Sequence, residues 1–139
     1  MKPEKTAKVI IDGTNAVMGR LASYAAKQAL LGKEIIIVNA NRVRINGNKK
    51  NIVDETARAI KRGGSSMKGP KIERNPERML KRAIRGMLSH KQGRGQKAVN
   101  RIMCYNETPK EYEETKKIIA GKEKGGRFIE LKELARLVK

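Results

Sequence analysis

The apolar positions change period several times along the chain, and each change marks an element. Residues 7–12 hold Val9, Ile10 and Ile11 in one run, which predicts a short buried strand. From residue 19 to 31 Leu21, Ala22, Ala25, Ala26, Ala29 and Leu30 recur at helical spacing, and Gly32 supplies a stop. The alanines would let this helix lie close to a sheet. Four β-branched residues, Ile35 to Val38, then suit an interior strand of a parallel sheet over residues 34–39. Val43 and Ile45 alternate with Arg42, Arg44 and Asn46, a half-exposed strand ending at Gly47. Strand, helix, strand in this order predicts an α/β layer fold.

A second helix is predicted over 51–62, with Ile52, Val53, Ala57 and Ile60 inward. The best-defined helix covers 76–88. Asn75 is a suitable N-cap, Pro76 fits the first helical position, and Glu77 complements the dipole. Met79, Leu80, Ala83, Ile84 and Met87 share one face, and Arg78, Lys81, Arg82 and Arg85 share the opposite one. Two segments, 63–75 and 89–97, carry little apolar material and are expected as loops, mobile without a partner. In the second, glycines would let a ligand approach the backbone closely. A helical turn is expected over 98–101, a strand over 102–105 and an acidic helix from Thr108 to Lys117. The flexible turn of 121–126 then leads into an extended stretch at 128–131. A final helix is expected over 130–139, with Leu131, Leu134, Ala135 and Val138 inward.

Charge sharpens this picture. The 139 residues carry 33 Lys and Arg against 14 Asp and Glu, a formal net charge of +19. Residues 42–101 hold 18 basic and 4 acidic side chains, net +14, whereas 1–41 carry +3 and 102–139 carry +2. A solvated surface mixes both signs; the middle of this chain does not. Such self-repulsion calls for a polyanion, and clustered Lys and Arg bind phosphates with release of counterions. The candidate RNA contacts are therefore Arg42, Arg44, Lys49, Lys50, Arg58, Lys61, Arg62, Lys68, Lys71, Arg74, Arg78, Lys81, Arg82, Arg85, His90, Lys91, Arg94 and Lys97, with Arg20 at the head of the first helix. The chain has no Trp, one Phe and three Tyr, none of these aromatics within 42–101. Readers of single strands stack bases on aromatic rings. Charge and glycine instead suit the backbone and shape of folded RNA.

Other chemistries find little support. The turn Asp12-Gly13-Thr14-Asn15-Ala16-Val17-Met18-Gly19-Arg20 follows a strand and opens a helix, as in nucleotide-binding folds. It lacks both the three-glycine fingerprint and a Gly-Lys-Ser/Thr. With a single histidine and a single cysteine, neither a His-based metal site nor a disulfide is expected. Cys104 reads as a small apolar residue of a strand. Asp54-Glu55 and Glu113-Glu114 are neighbours on expected helices, about 100° apart, so neither pair converges on one substrate. No secretory signal or membrane-spanning run is expected, and a cytoplasmic location fits.

Residues 75–105 also carry a resemblance. Asn75-Pro76-Glu77-Arg78-Met79-Leu80, then Arg85-Gly86-Met87-Leu88, Arg94-Gly95-Gln96-Lys97-Ala98 and Arg101-Ile102 closely resemble the large-subunit ribosomal protein thirteen family. Ile11-Asp12, Gly19-Arg20-Leu21-Ala22-Ser23, Val38-Asn39-Ala40 and Gly47-Asn48-Lys49-Lys50 agree in order, so that the likeness spans about residues 8–139. The Arg-Gly-Gln-Lys-Ala segment and the short N-terminus look archaeal or eukaryotic-like. The resemblance implies an α/β/α sandwich around a mostly parallel four-stranded sheet. It also implies a non-catalytic role, bound to large-subunit rRNA beside neighbouring ribosomal proteins and active in subunit assembly. No cofactor, membrane or small-molecule substrate is expected. The whole chain would form one domain, with the RNA-facing region at 42–101 and a C-terminal appendage from about 106. Ser89 stands where the family commonly has proline; proline would stop the preceding helix there, whereas serine allows it to run on or fray. A stand-alone nucleic-acid-binding regulator and a small nucleotide-acting enzyme are the competing classes.

Overall fold

The computed structural model describes residues 7–62, 74–121 and 125–138. Strands β1 (Lys8–Asp12), β2 (Glu34–Val38), β4 (Ile102–Cys104) and β5 (Ile118–Ile119) form a sheet in the order β4-β2-β1-β5. All its pairings are parallel, with Ile10 opposite Ile36, Ile11 opposite Ile118 and Ile36 opposite Met103. Helix α1 (Met18–Leu30) connects β1 to β2, and its Leu21, Ala22, Ala25, Ala26 and Ala29 are buried. The small side chains keep α1 close to Ile11, Ile35 and Ile37 on one face of the sheet. On the other face Ile10, Ile36 and Val38 are covered by Tyr105 and Tyr112, whose rings lie 6.2 Å apart. The α/β class, the four-stranded sheet and the C-terminal helix are as the sequence predicts.

A second, two-stranded sheet pairs β3 (Arg44–Asn46) antiparallel with β6 (Phe128–Glu130). It delivers helix α5 (Leu131–Leu137) to the core, with Leu131, Leu134, Ala135 and Val138 buried as expected. Helix α3 (Pro76–Gly86) packs on α1, and α4 (Gly93–Asn100) packs on α1 beyond it. Arg101 ties this end together, its Nη1 donating to the Ala29 carbonyl at 2.8 Å. Helix α2 (Lys49–Lys61) stands apart: it starts two residues earlier than expected, capped by the Asn48 side chain, and buries no residue fully. Ile52, Val53 and Ile60 only half-bury against the core.

Two expectations are overturned. Residues 108–117 form no helix; a short 3-10 turn at Lys110–Tyr112 leads through bends into β5, which pairs with β1. Residues 89–97 are not a loop. Met87 to Lys91 turn, and α4 then begins at Gly93. The segment lacks aliphatic residues of its own, yet buried Leu88 on one side and Ala98 and Val99 on the other hold it. Gly95 closes the packing, because a Cβ there would lie 1.9 Å from the Ser89 carbonyl oxygen. Its lack of a side chain serves the protein's own turn and not a ligand. The expected loop at 63–75 falls mostly on 63–73, and the expected turn at 121–126 partly on 122–124, outside the described residues.

Gly95→Ala is expected to destabilise the protein by about 2 kcal/mol or more, as overpacking against backbone does. Gly93→Ala meets nothing within 4 Å and is expected to be neutral or slightly stabilising. Urea denaturation of both variants checks this; equal midpoints for the two would contradict the packing of α4 on the turn.

Candidate nucleic-acid interface

The interface is built on α3, whose orientation two interactions fix. Leu80 and Ile84 are both 0% exposed, so the inward face is pinned. At the N-terminus the Asn106 side chain joins the cap: its Oδ1 accepts from the Glu77 N–H at 2.9 Å, and its Nδ2 donates to Asn75 Oδ1 at 2.9 Å. Asn75 itself accepts from the same N–H at 3.3 Å. The predicted cap is therefore real and shared with a residue 31 positions away. The inward assignment holds for Leu80 and Ile84, with Met79 and Ala83 half-buried. Met87 is a correction: it is 49% exposed, because the helix ends at Gly86 and the chain turns away. The helix does not run on through Ser89, whose carbonyl accepts from the Gln92 N–H in the turn.

Pinning one face presents the other. Arg78, Arg82 and Arg85 are exposed and Lys81 is half-buried along a helix roughly 16 Å long. Lys91, Arg94 and Lys97 are exposed on the turn and on α4, so that the structure brings these cations onto adjoining elements. Between them Arg82, Arg85, Gly86 and His90 line a recess of about 270 Å³. His90 Nδ1 is sealed from solvent there without a hydrogen-bond partner among the described residues.

The other candidates are distributed differently. Lys50, Arg58, Lys61 and Arg62 are exposed on or just after α2, and Lys49 forms an ion pair with Glu133 of α5. Arg44 is half-buried with its guanidinium 3.8 Å from the centre of the Phe128 ring, so it serves the small sheet. Arg20 is exposed at the start of α1, Arg42 is exposed after β2, and Arg74 is exposed ahead of α3. Lys68 and Lys71 lie outside the described residues. Lys132 and Arg136 of α5 also point outward, next to Arg74, and the sequence reading omitted them. Their signal was present, since positions 132 and 136 complement the inward set 131, 134, 135 and 138. The near-zero net charge of the C-terminal third concealed it.

The turn that follows β1 is occupied by the protein itself. Asp12 Oδ1 accepts from the Thr14 N–H, the Thr14 hydroxyl and Asn39 Nδ2, at 2.7 to 3.0 Å. Partial burial raises the Asp12 carboxyl, but the bonds from Asn39 and Thr14, helped by Lys117, outweigh it and hold the group below its ordinary 3.8. Beyond β5, Gly121 rests on the first turn of α1, its carbonyl accepting from Val17 N–H, and a Cβ there would come within 2.8 Å of Leu21 N. In open α/β sheets ligands enter where strand order reverses, here between β1 and β5. That crevice is filled by chain. Cys104 is buried, and burial pushes its thiol up to about 12, which makes it an inert core residue.

Comparison with known proteins fits this geometry. A model of the family described as Ribosomal protein L13 matches residues 6–111. The chain belongs to the ribosomal protein L13 family. It is 43% identical over 105 residues to the large ribosomal subunit protein uL13 of Methanococcoides burtonii, covering 76% of this chain and 75% of the relative. To uL13 of Thermoplasma volcanium it is 44% identical over 101 residues, covering 73% and 74%. To uL13 of Methanocaldococcus jannaschii it is 39% identical over 130 residues, covering 91% and 94%. In this L13 chain the Arg85-Gly86-Met87-Leu88 segment is the end of α3 and its turn, where the core and the basic face meet.

Two outcomes are expected from this geometry. Ile84→Asp should abolish folding, because it buries an unpaired charge, whereas Arg85→Glu, at an exposed position, should leave the far-UV spectrum and urea midpoint nearly unchanged while weakening RNA binding. A folded Ile84→Asp variant would contradict the assignment of faces. Asp12 carries the second: a carboxyl lowered on folding stabilises above about pH 4, and its contribution is lost as pH falls through the lowered value. Asp12→Ala should therefore lower the urea midpoint at pH 6, and the loss should shrink steadily as pH is lowered through the acid range; a loss that stays constant with pH would contradict the network.

Proposed function

We propose that this L13 chain is a structural, non-enzymatic constituent of the large ribosomal subunit, working in the cytoplasm and holding large-subunit rRNA against α3 and α4. The observation that carries the reading is α3 itself, with Leu80 and Ile84 fully buried and Arg78, Lys81, Arg82 and Arg85 on the opposite side. Its arginines suit phosphates, since guanidinium groups make paired hydrogen bonds to phosphate oxygens. Arg94 and Lys97 of α4 and Lys91 of the turn extend the contact, and the cations of α2, with Arg20 and Arg42, add flanking ones. Folded RNA supplies the charge that the protein lacks, and in doing so the protein fixes the relative position of rRNA segments during assembly. Neighbouring ribosomal proteins complete its surroundings, and the chain acts as one domain.

The native protein is expected to sediment with large subunits in a lysate. The purified protein should bind large-subunit rRNA with an affinity that falls steeply with salt. Replacing Arg82 and Arg85 by Gln should reduce the log–log slope by roughly 1.4 to 1.8, about 0.7–0.9 for each lost phosphate contact. A flat salt dependence, or a protein found only on a defined RNA away from ribosomes, would contradict the reading.

A further inference from the structure

Ahead of α3 a recess of about 540 Å³ opens between the helix cap and α5, lined by Asn41, Arg74, Asn75, Pro76, Asn106, Lys132, Ala135 and Arg136. Its rim is Arg74, Lys132 and Arg136, all exposed, drawn from two places 58 or more residues apart in sequence. No acidic side chain lines it, and none of these three cations is in an ion pair among the described residues. Its floor includes buried Pro76 and Ala135. Between floor and rim stand carboxamides held in place: Asn106 bridges to Asn75 and Glu77, and the Asn106 carbonyl accepts from the Asn41 N–H.

We propose that this recess takes an unpaired nucleotide of rRNA, with its flanking phosphates on Arg74, Lys132 and Arg136. The inference rests on the rRNA-binding reading and extends the contact to α5. A base is flat and largely apolar on its faces, which matches Pro76 and Ala135. Its edge carries donors and acceptors, which oriented carboxamides can meet with the N–H groups and lone pairs left over from their internal bonds. Recognition of single nucleotides splayed from folded RNA uses this combination of face contact and edge hydrogen bonds. RNA is favoured over an acidic protein segment by continuity. Arg74 leads directly into α3, whose exposed arginines run from this recess to His90 at the other end, so that one strand can follow both. Glu130 and Glu133 line a neighbouring smaller recess with Lys132 and Arg136, which limits the cationic surface on that side.

The test uses the full chain, a large-subunit rRNA transcript and the double variant Lys132→Gln/Arg136→Gln, whose positions are exposed and leave the core untouched. The log–log salt slope should fall by roughly 1.4, for two lost contacts to an unpaired strand. Ultraviolet cross-links from the transcript to residues 74–76 and 131–136 should be strong in the parent and lost in the variant. A variant that binds and cross-links like the parent, while Arg82→Gln/Arg85→Gln weakens binding, overturns the nucleotide site and leaves the rRNA reading standing. Parent-like binding by both variants overturns the rRNA reading itself. Normal RNA binding by the α5 variant with loss from purified large subunits would assign the recess to an acidic protein segment and overturn the proposal. So would protection of the same residues by a free nucleoside monophosphate at millimolar concentration, which would mark a site for the free nucleotide.

Discussion

Among the described residues no polar or charged side chain is buried, although the chain carries a net charge of +19. This segregation is the constraint on which the rest of the structure depends. Desolvating even one of these cations without a partner would cost more than a small core can offset. The core is therefore made from strands and helices whose inward positions are only Ile, Leu, Val, Ala and a cysteine. The cations those elements carry lie at the surface or, like Arg44, Lys81 and Arg101, only half-buried. Helix α3 is where both demands meet most tightly, because burying Leu80 and Ile84 leaves its arginines no other direction.

The consequence is a protein whose charge is stable in the fold but not balanced by it. The ion pairs of Lys8 with Glu34 and of Lys49 with Glu133 are at the surface and neutralise little. Repulsion among like charges on α2, α3 and α4 persists until an anion of matching extent arrives. The same topology that elsewhere forms nucleotide pockets is disarmed: Gly121 sits on α1 at the reversal of strand order, and Asp12 spends its acceptors on Thr14 and Asn39. What remains available for binding is the outside of the helices.

Much of this could be read from the residues. The Ile-rich strands, the Ala-rich first helix, the capped α3 and the inward set of α5 follow from period and capping, which are local. What could not be read depends on contacts distant in sequence. Helix α4 has almost no apolar signal of its own; it exists because Gly95 fits against the Ser89 carbonyl and because Ala98 and Val99 reach the core. Strand β5 is two residues long and is defined by its pairing with β1, and the segment before it, 108–117, reads as a helix but forms a short 3-10 turn and bends. Arg44 counted as one more cation, and only the return of β6 shows the Phe128 ring beneath it. Lys132 and Arg136 were hidden by averaging charge over a segment, whereas position on the helix decides what a cation can do.

The most direct test of the central claim is a structure of the large ribosomal subunit containing this chain, at a resolution that shows side chains. The account predicts phosphate oxygens within salt-bridge distance of Arg82, Arg85 and Arg94, at the recess that Arg82, Arg85, Gly86 and His90 line. An α3 whose basic face looks into solvent or onto another protein, with rRNA elsewhere, would contradict it.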